Sequence, residues 1–313
     1  MRRLAVLLAA TLFLSALSAG TALADDALEQ LMEDAGVADF AGRGIVLCTW
    51  GADSAAATYS VTRTRGMSVV SGAGADLMTT GGIAAFRSGA GWSTVEVGEW
   101  SPWALDDRYT LAAPEPAERF GRSAEQVTVL EDGRPRATVV FDGATGVPLL
   151  TEILDGEGKQ FRVAAMIEFG VDAAGRSGGE MPQTERRRSV WASSVAGDLP
   201  ERAAWYRRVD LYTGPEGVVH AYYTDGLFSF SVFESDRGPT PEPFKSASEF
   251  EAAGHRYLGI TEPLSLWVQW HAPDRSYVLV GDLPPDHLDA VLADLPAPGE
   301  RSPLVRLWRW LFG

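Results

Sequence analysis

Strand-length runs rich in apolar and β-branched residues, broken by turn residues, recur along this chain, and in some of them apolar and polar positions alternate with the period of a β-strand. "GIVLCTW", "ATYSVTRTR" and "MSVVSG" read as successive strands near the amino terminus. The following "SGAGADLMTTGGIAAFRSGAGWS" is rich in glycine, and we read it as turn chemistry that includes a mobile loop. From Glu125 to Gly170 the pattern predicts four strands, separated by Asp-Gly, Asp-Gly-Ala-Thr-Gly and Asp-Gly-Glu-Gly turns. In the last of these strands Phe161, Val163, Ala165, Ile167 and Phe169 fall on one side, and Arg162, Ala164, Met166 and Glu168 on the other. An antiparallel meander with one apolar face follows.

The stretch "VVHAYYTDGLFSFSVFE" carries an Asp-Gly pair between aromatic and β-branched runs, a hairpin signal. A two-residue loop at Asp225-Gly226 sets Thr224 against Leu227, Tyr223 against Phe228, Ala221 against Phe230 and Val219 against Val232. One face is then apolar. The other is mixed and holds His220, Tyr222, Thr224, Leu227, Ser229 and Ser231. "LSLWVQWHAPDRSYVLVGDLP" predicts a further hairpin.

Helical spacing is confined to short pieces. Leu28, Leu31, Met32 and Ala35 predict an amphipathic helix closed by Gly36. "PPDHLDAVLADLP" predicts another, with Pro284 or Pro285 at its start and Leu288, Val291 and Leu292 along one stripe. Residues 171–190 lose all periodicity and contain Gly, Pro and three consecutive arginines, the marks of a linker. In "SPLVRLWRWLFG" the apolar residues cluster with Arg306 and Arg309 opposite, a basic amphipathic tail too short to span a bilayer. It either lies at a membrane interface, as a peripheral contact, or packs back onto its domain.

The first residues change the compartment. Arg2 and Arg3, an apolar run from Leu4 to Leu17 and the small-x-small Ala22-Leu23-Ala24 form a secretory signal peptide, so the mature chain begins near Asp25 and works outside the cytoplasm. The formal charge of −15 becomes −17 once Arg2 and Arg3 are removed, which disfavours nucleic acid as a partner. Cys48 is the only cysteine, so no internal disulfide can form, and its strand context reads as a buried apolar thiol.

Catalytic patterns are missing from the sequence. His220, His255, His271 and His287 form no metal-ligand spacing, no GxSxG elbow is present, and the acidic residues fall mostly in turns. We expect no enzyme activity, no metal and no cofactor.

Gly121-Arg122, Val127 and Val129, then Asp142, Thr145-Gly146 and Pro148-Leu149, then Asp155 to Gly158, follow the pattern of the amino-terminal domain of the RseB/MucB family of envelope sigma-factor regulators. "YTDGLFSFSVFE" resembles an element of that family's carboxy-terminal domain, at the expected distance downstream. The resemblance implies an α+β, mainly antiparallel β protein. It would comprise an N-terminal LolA-like half-open β-barrel (25–170), with helices partly plugging its concave face, a linker (171–190) and a smaller C-terminal α/β domain (191–300), between the signal peptide (1–24) and the basic tail (301–313). It implies binding to the extracytoplasmic segment of a membrane anti-sigma factor, with lipid or lipoprotein loosening that grip. A LolA-like carrier of lipid or lipoprotein, without a regulatory partner, is the alternative. The candidate partner contacts are His220, Tyr222, Thr224 and Leu227, and the candidate apolar cavity comprises Val46, Trp50, Val163 and Ile167.

Overall fold

Alternation gives many of the described strands one better-buried face, and the described strands pair antiparallel throughout. The computed structural model describes residues 38–64, 67–72, 75–80, 83–88, 91–96, 107–171, 199–213, 217–236, 244, 247–263 and 265–299. The signal peptide, the helix expected over 28–36, the linker from residue 172 onward and the basic tail lie outside the described residues. The described strands fall into two compact units.

The first unit holds β1 (Phe40–Trp50), β2 (Asp53–Thr64), β3 (Met67–Gly72), β4 (Ala75–Thr80), β5 (Ile83–Ser88), β6 (Gly91–Glu96), β7 (Tyr109–Leu111), β8 (Glu115–Arg119), β9 (Arg122–Glu131), β10 (Arg134–Asp142), β11 (Pro148–Leu154) and β12 (Gln160–Gly170). They form one sheet in the order β6-β5-β4-β3-β2-β1-β12-β11-β10-β9-β7, with β8 also paired to β9. The sheet is open, since β6 and β7 end it without pairing to each other. No described residue of this unit is helical.

The glycine-rich segment, read as turn chemistry that includes a mobile loop, contains three strands, β4 to β6. The described pairing runs to Gly72↔Ala75, Thr80↔Ile83 and Ser88↔Gly91. The four-strand meander from β9 to β12 is present, but its last strand departs from strict alternation. Arg43 faces Glu168 and Gly44 faces Met166, so Ile167 is the extra residue of a β-bulge. Beyond the bulge the faces exchange, which brings Met166 and Phe169 into one cluster with Phe40, Tyr59, Val61, Val147 and Leu149. Gly44 is part of this arrangement, because a Cβ there would collide with the Tyr59 ring.

The second unit holds β13 (Arg202–Ala203), β14 (Tyr206–Thr213), β15 (Val219–Thr224), β16 (Ser229–Asp236), β17 (Ser248–Ala252), β18 (His255–Thr261), β19 (Leu266–His271), β20 (Arg275–Gly281) and the helix α1 (Pro285–Asp294). The sheet order is β13-β14-β15-β16-β20-β19-β18-β17. Pro285 opens α1, and its buried stripe is His287, Leu288, Val291 and Leu292. His287 fixes the helix to the sheet. Its Nδ1 lies 2.7 Å from the Tyr206 hydroxyl, and its ring meets Trp205 and Phe228 edge-on.

Candidate binding surfaces

The β15–β16 hairpin is built differently from the two-residue turn expected at Asp225-Gly226. Thr224 pairs with Ser229, Tyr223 with Phe230 and Ala221 with Val232, which leaves a four-residue loop from Asp225 to Phe228. The reason is local hydrogen bonding. Asp225 Oδ1 accepts the backbone N–H groups of Leu227 (3.0 Å) and Phe228 (2.7 Å). Thr224 Oγ1 accepts the Gly226 N–H at 3.0 Å and donates to the Phe228 carbonyl at 2.9 Å. These bonds satisfy the longer loop and free Phe228 to pack under His287.

The register is thus shifted by two residues, and a shift of two preserves the faces. Val219, Ala221, Tyr223, Phe230 and Val232 are buried on the apolar side, as the alternation requires. His220, Tyr222 and Thr224 share the other face, while Leu227 stands in the loop and not on a strand. Of these four, His220 and Thr224 are buried and committed to the fold; Tyr222 and Leu227 stay half-buried. His220 stacks on Phe233 with ring centroids 4.4 Å apart, and its Nε2 is 2.7 Å from the Ser231 hydroxyl. Burial lowers its pKa to about 4, so the ring is neutral at physiological pH. Burial also pushes the Tyr222 hydroxyl well above the usual tyrosine range, and the phenol is protonated.

In the first unit the structure divides the four cavity candidates. Val46 and Trp50 lie on the β1 face that carries Tyr59, Gly44 and Met166. Val163 pairs with Leu47 on the opposite face, and Ile167 sits at the bulge, 45% exposed. Val46 is 1% exposed. Two aromatic residues of the cluster, Phe40 and Tyr59, are not among the sequence candidates, although Tyr59 and Val61 alternate along β2 and carry that signal. The opposite face leaves Ile45 and Leu47 each 40% exposed.

Gly121-Arg122, Asp142 and Thr145-Gly146, part of the set that carried the family resemblance, meet at one point. Phe120 and Gly121 both have positive φ (58° and 68°), which makes the tight turn from β8 into β9 and delivers Arg122. Arg122 reaches across to the fully buried Asp142, which also accepts a 2.7 Å hydrogen bond from the Thr145 hydroxyl. Gly146 closes the loop by donating its N–H to the Asp142 carbonyl at 2.7 Å. Burial alone would raise the Asp142 pKa, but the Arg122 and Thr145 hydrogen bonds outweigh it and hold the carboxyl below its ordinary value.

Among the described residues no group of three or more His, Cys, Asp or Glu side chains could hold a metal ion. No described helix is long and apolar enough to cross a membrane.

No family model matches this chain, and no curated protein matches it. Among solved structures it is similar to MucB in complex with MucA(peri), at 16% identity over 88% of this chain and 98% of that one, with a TM-score of 0.48. It is also similar to the Pseudomonas aeruginosa MucA/MucB complex, at 14% identity over 88% of this chain and 99% of that one, with a TM-score of 0.49. A LolA superfamily protein from Nitrosomonas europaea covers 48% of this chain and 92% of its own length at 11% identity, with a TM-score of 0.23.

Proposed function

We propose that this protein is an exported, non-enzymatic regulator. It binds the extracytoplasmic segment of a membrane anti-sigma factor, responds to lipid or lipoprotein, and so modulates an envelope-stress sigma factor. The observation that carries this reading is the junction of Arg122, Asp142, Thr145 and Gly146. Four of the residues by which the sequence resembles the RseB/MucB family are hydrogen-bonded to one another in the fold.

In this reading the second unit meets the partner through the rim of the β15–β16 hairpin. Tyr222 and Leu227 make the contact, while His220 and Thr224 hold the shape behind them. The first sheet receives the acyl chain on the face that carries Val163 and Ile167, beside the exposed Ile45 and Leu47, while Val46 and Trp50 belong to the face of the aromatic cluster. Lipid acts by linkage: it shifts the balance toward the partner-free form only by its difference in affinity for the two forms.

The test is to purify the mature protein from detergent-solubilised envelope of the producing cell. The regulator reading expects a single-span membrane protein to remain bound and to be displaced by added lipid. Bound lipid recovered with no such protein would favour the LolA-like carrier, whose support is the exposed apolar trio Ile45, Leu47 and Ile167.

A further inference from the structure

We infer that the β13–β14 corner of the second unit is a docking groove for an extended acidic segment of a protein partner. This assignment rests on the partner-binding reading above and names the chemistry that its partner must present. The groove has a volume of about 550 Å³ and is lined by Glu201, Arg202, Arg207 and Arg208. Three arginines and one glutamate thus line it, in a chain whose formal charge is −15, and Arg202 and Arg207 share one strand face while Arg208 points to the other with Tyr223.

The arginines are arranged at a cost. Arg202 and Arg207 face each other directly across the antiparallel pair, and like charges so placed destabilise it. Both are exposed, and neither has a carboxylate partner among the described residues. Arg208 lies on the opposite face beside the Tyr223 hydroxyl and donates to the Leu199 carbonyl, so it braces the corner and leaves Arg202 and Arg207 as the pair that meets the ligand. Folding alone gives no reason for the opposed Arg202 and Arg207, whereas an anionic ligand would relieve them.

The occupant is held by its carboxylates and not by strand addition. The free side of β14 is blunted by a bulge between Arg208 and Asp210, and the Leu211 N–H is taken by Asp210 Oδ1 at 2.9 Å. Side chains on one face of an extended peptide recur about every 7 Å, a spacing that two opposed arginines can span with bidentate contacts. The position of the two arginines beside the proposed protein contact favours a peptide over a lipid headgroup. The groove adjoins the proposed contact face, since Arg207 pairs with Thr224.

The experiment measures fluorescence anisotropy of the mature full chain with a short labelled peptide of alternating glutamate and serine, the same peptide with glutamine for glutamate, and phosphatidylglycerol vesicles. We expect the glutamate peptide alone to bind, less tightly as salt rises, and the paired substitution Arg202→Glu, Arg207→Glu to weaken it at least about tenfold without lowering the melting temperature. Equal binding of the two peptides, an undiminished affinity in the double variant, or a preference for the vesicles that the double variant loses would each overturn the assignment. The membrane protein recovered from envelope separates the two readings. If it co-purifies undiminished with the double variant, the groove is wrong and the regulator reading stands. If none co-purifies with either form while the glutamate peptide still binds, the regulator reading falls and the groove stands.

Discussion

The guanidinium of Arg122 grips the carboxylate of Asp142 through two parallel hydrogen bonds, Nε to Oδ1 at 2.6 Å and Nη2 to Oδ2 at 3.0 Å. Asp142 is wholly buried and Arg122 about one-third exposed, so the pair joins the start of β9 to the end of β10 with little water between them. Removing the arginine leaves a carboxylate without its main counter-charge, at a cost of about 3 kcal/mol. Arg122→Ala is therefore expected to lower the urea midpoint of the first unit markedly. A midpoint within experimental scatter of the unaltered protein would contradict the clamp.

The same pair gives an acid dependence with a defined sign. The folded-state pKa of Asp142 lies below its unfolded value, so the stabilisation is fully present above about pH 4 and is lost as pH falls further, through the folded value. Asp142→Asn should flatten the fall of melting temperature below pH 4 relative to the unaltered chain.

His220 acts in a higher window. Its folded-state pKa is about 4 against an ordinary 6.5, so between those values the unfolded chain takes up a proton that the fold refuses. Stability should thus decline as pH drops from about 6.5 to 4, by roughly 3 kcal/mol, and level off below. His220→Gln is expected to remove that decline. Parallel profiles of urea midpoint against pH for the two proteins would show that the ring is not neutral in the fold.

His287 joins α1 to the sheet through Tyr206, Trp205 and Phe228. Truncating it to alanine opens a cavity and strands the buried Tyr206 hydroxyl, together costing about 3–4 kcal/mol. Tyr206→Phe removes only the hydrogen bond, and about 1 kcal/mol is expected. Chemical denaturation of both variants, followed by tryptophan fluorescence, checks the order.

Much of this architecture was legible in single residues. Asp132-Gly133 shows the sequence rule working: both residues have positive φ, 49° and 77°, in the two-residue turn that such a pair favours. Asp225-Gly226 shows its limit, because there the Asp side chain hydrogen-bonds onward to Leu227 and Phe228, and only Gly226 takes positive φ. The faces of the hairpin survived that error because the slip was even. On β12 the slip was odd, and no composition signal marks a bulge; Met166 went inward and Ile167 outward against the alternation. The Arg202–Arg207 pairing depends on where β13 meets β14, which spacing along the chain does not specify.

The most direct test of the central claim places a photo-reactive amino acid at Leu227, with Glu249 on the far edge strand as control, in the producing cell. The account predicts a crosslink from position 227, and not from 249, to the extracytoplasmic segment of a single-span membrane protein. Crosslinks from both positions alike, or from 227 to lipid alone, would contradict it.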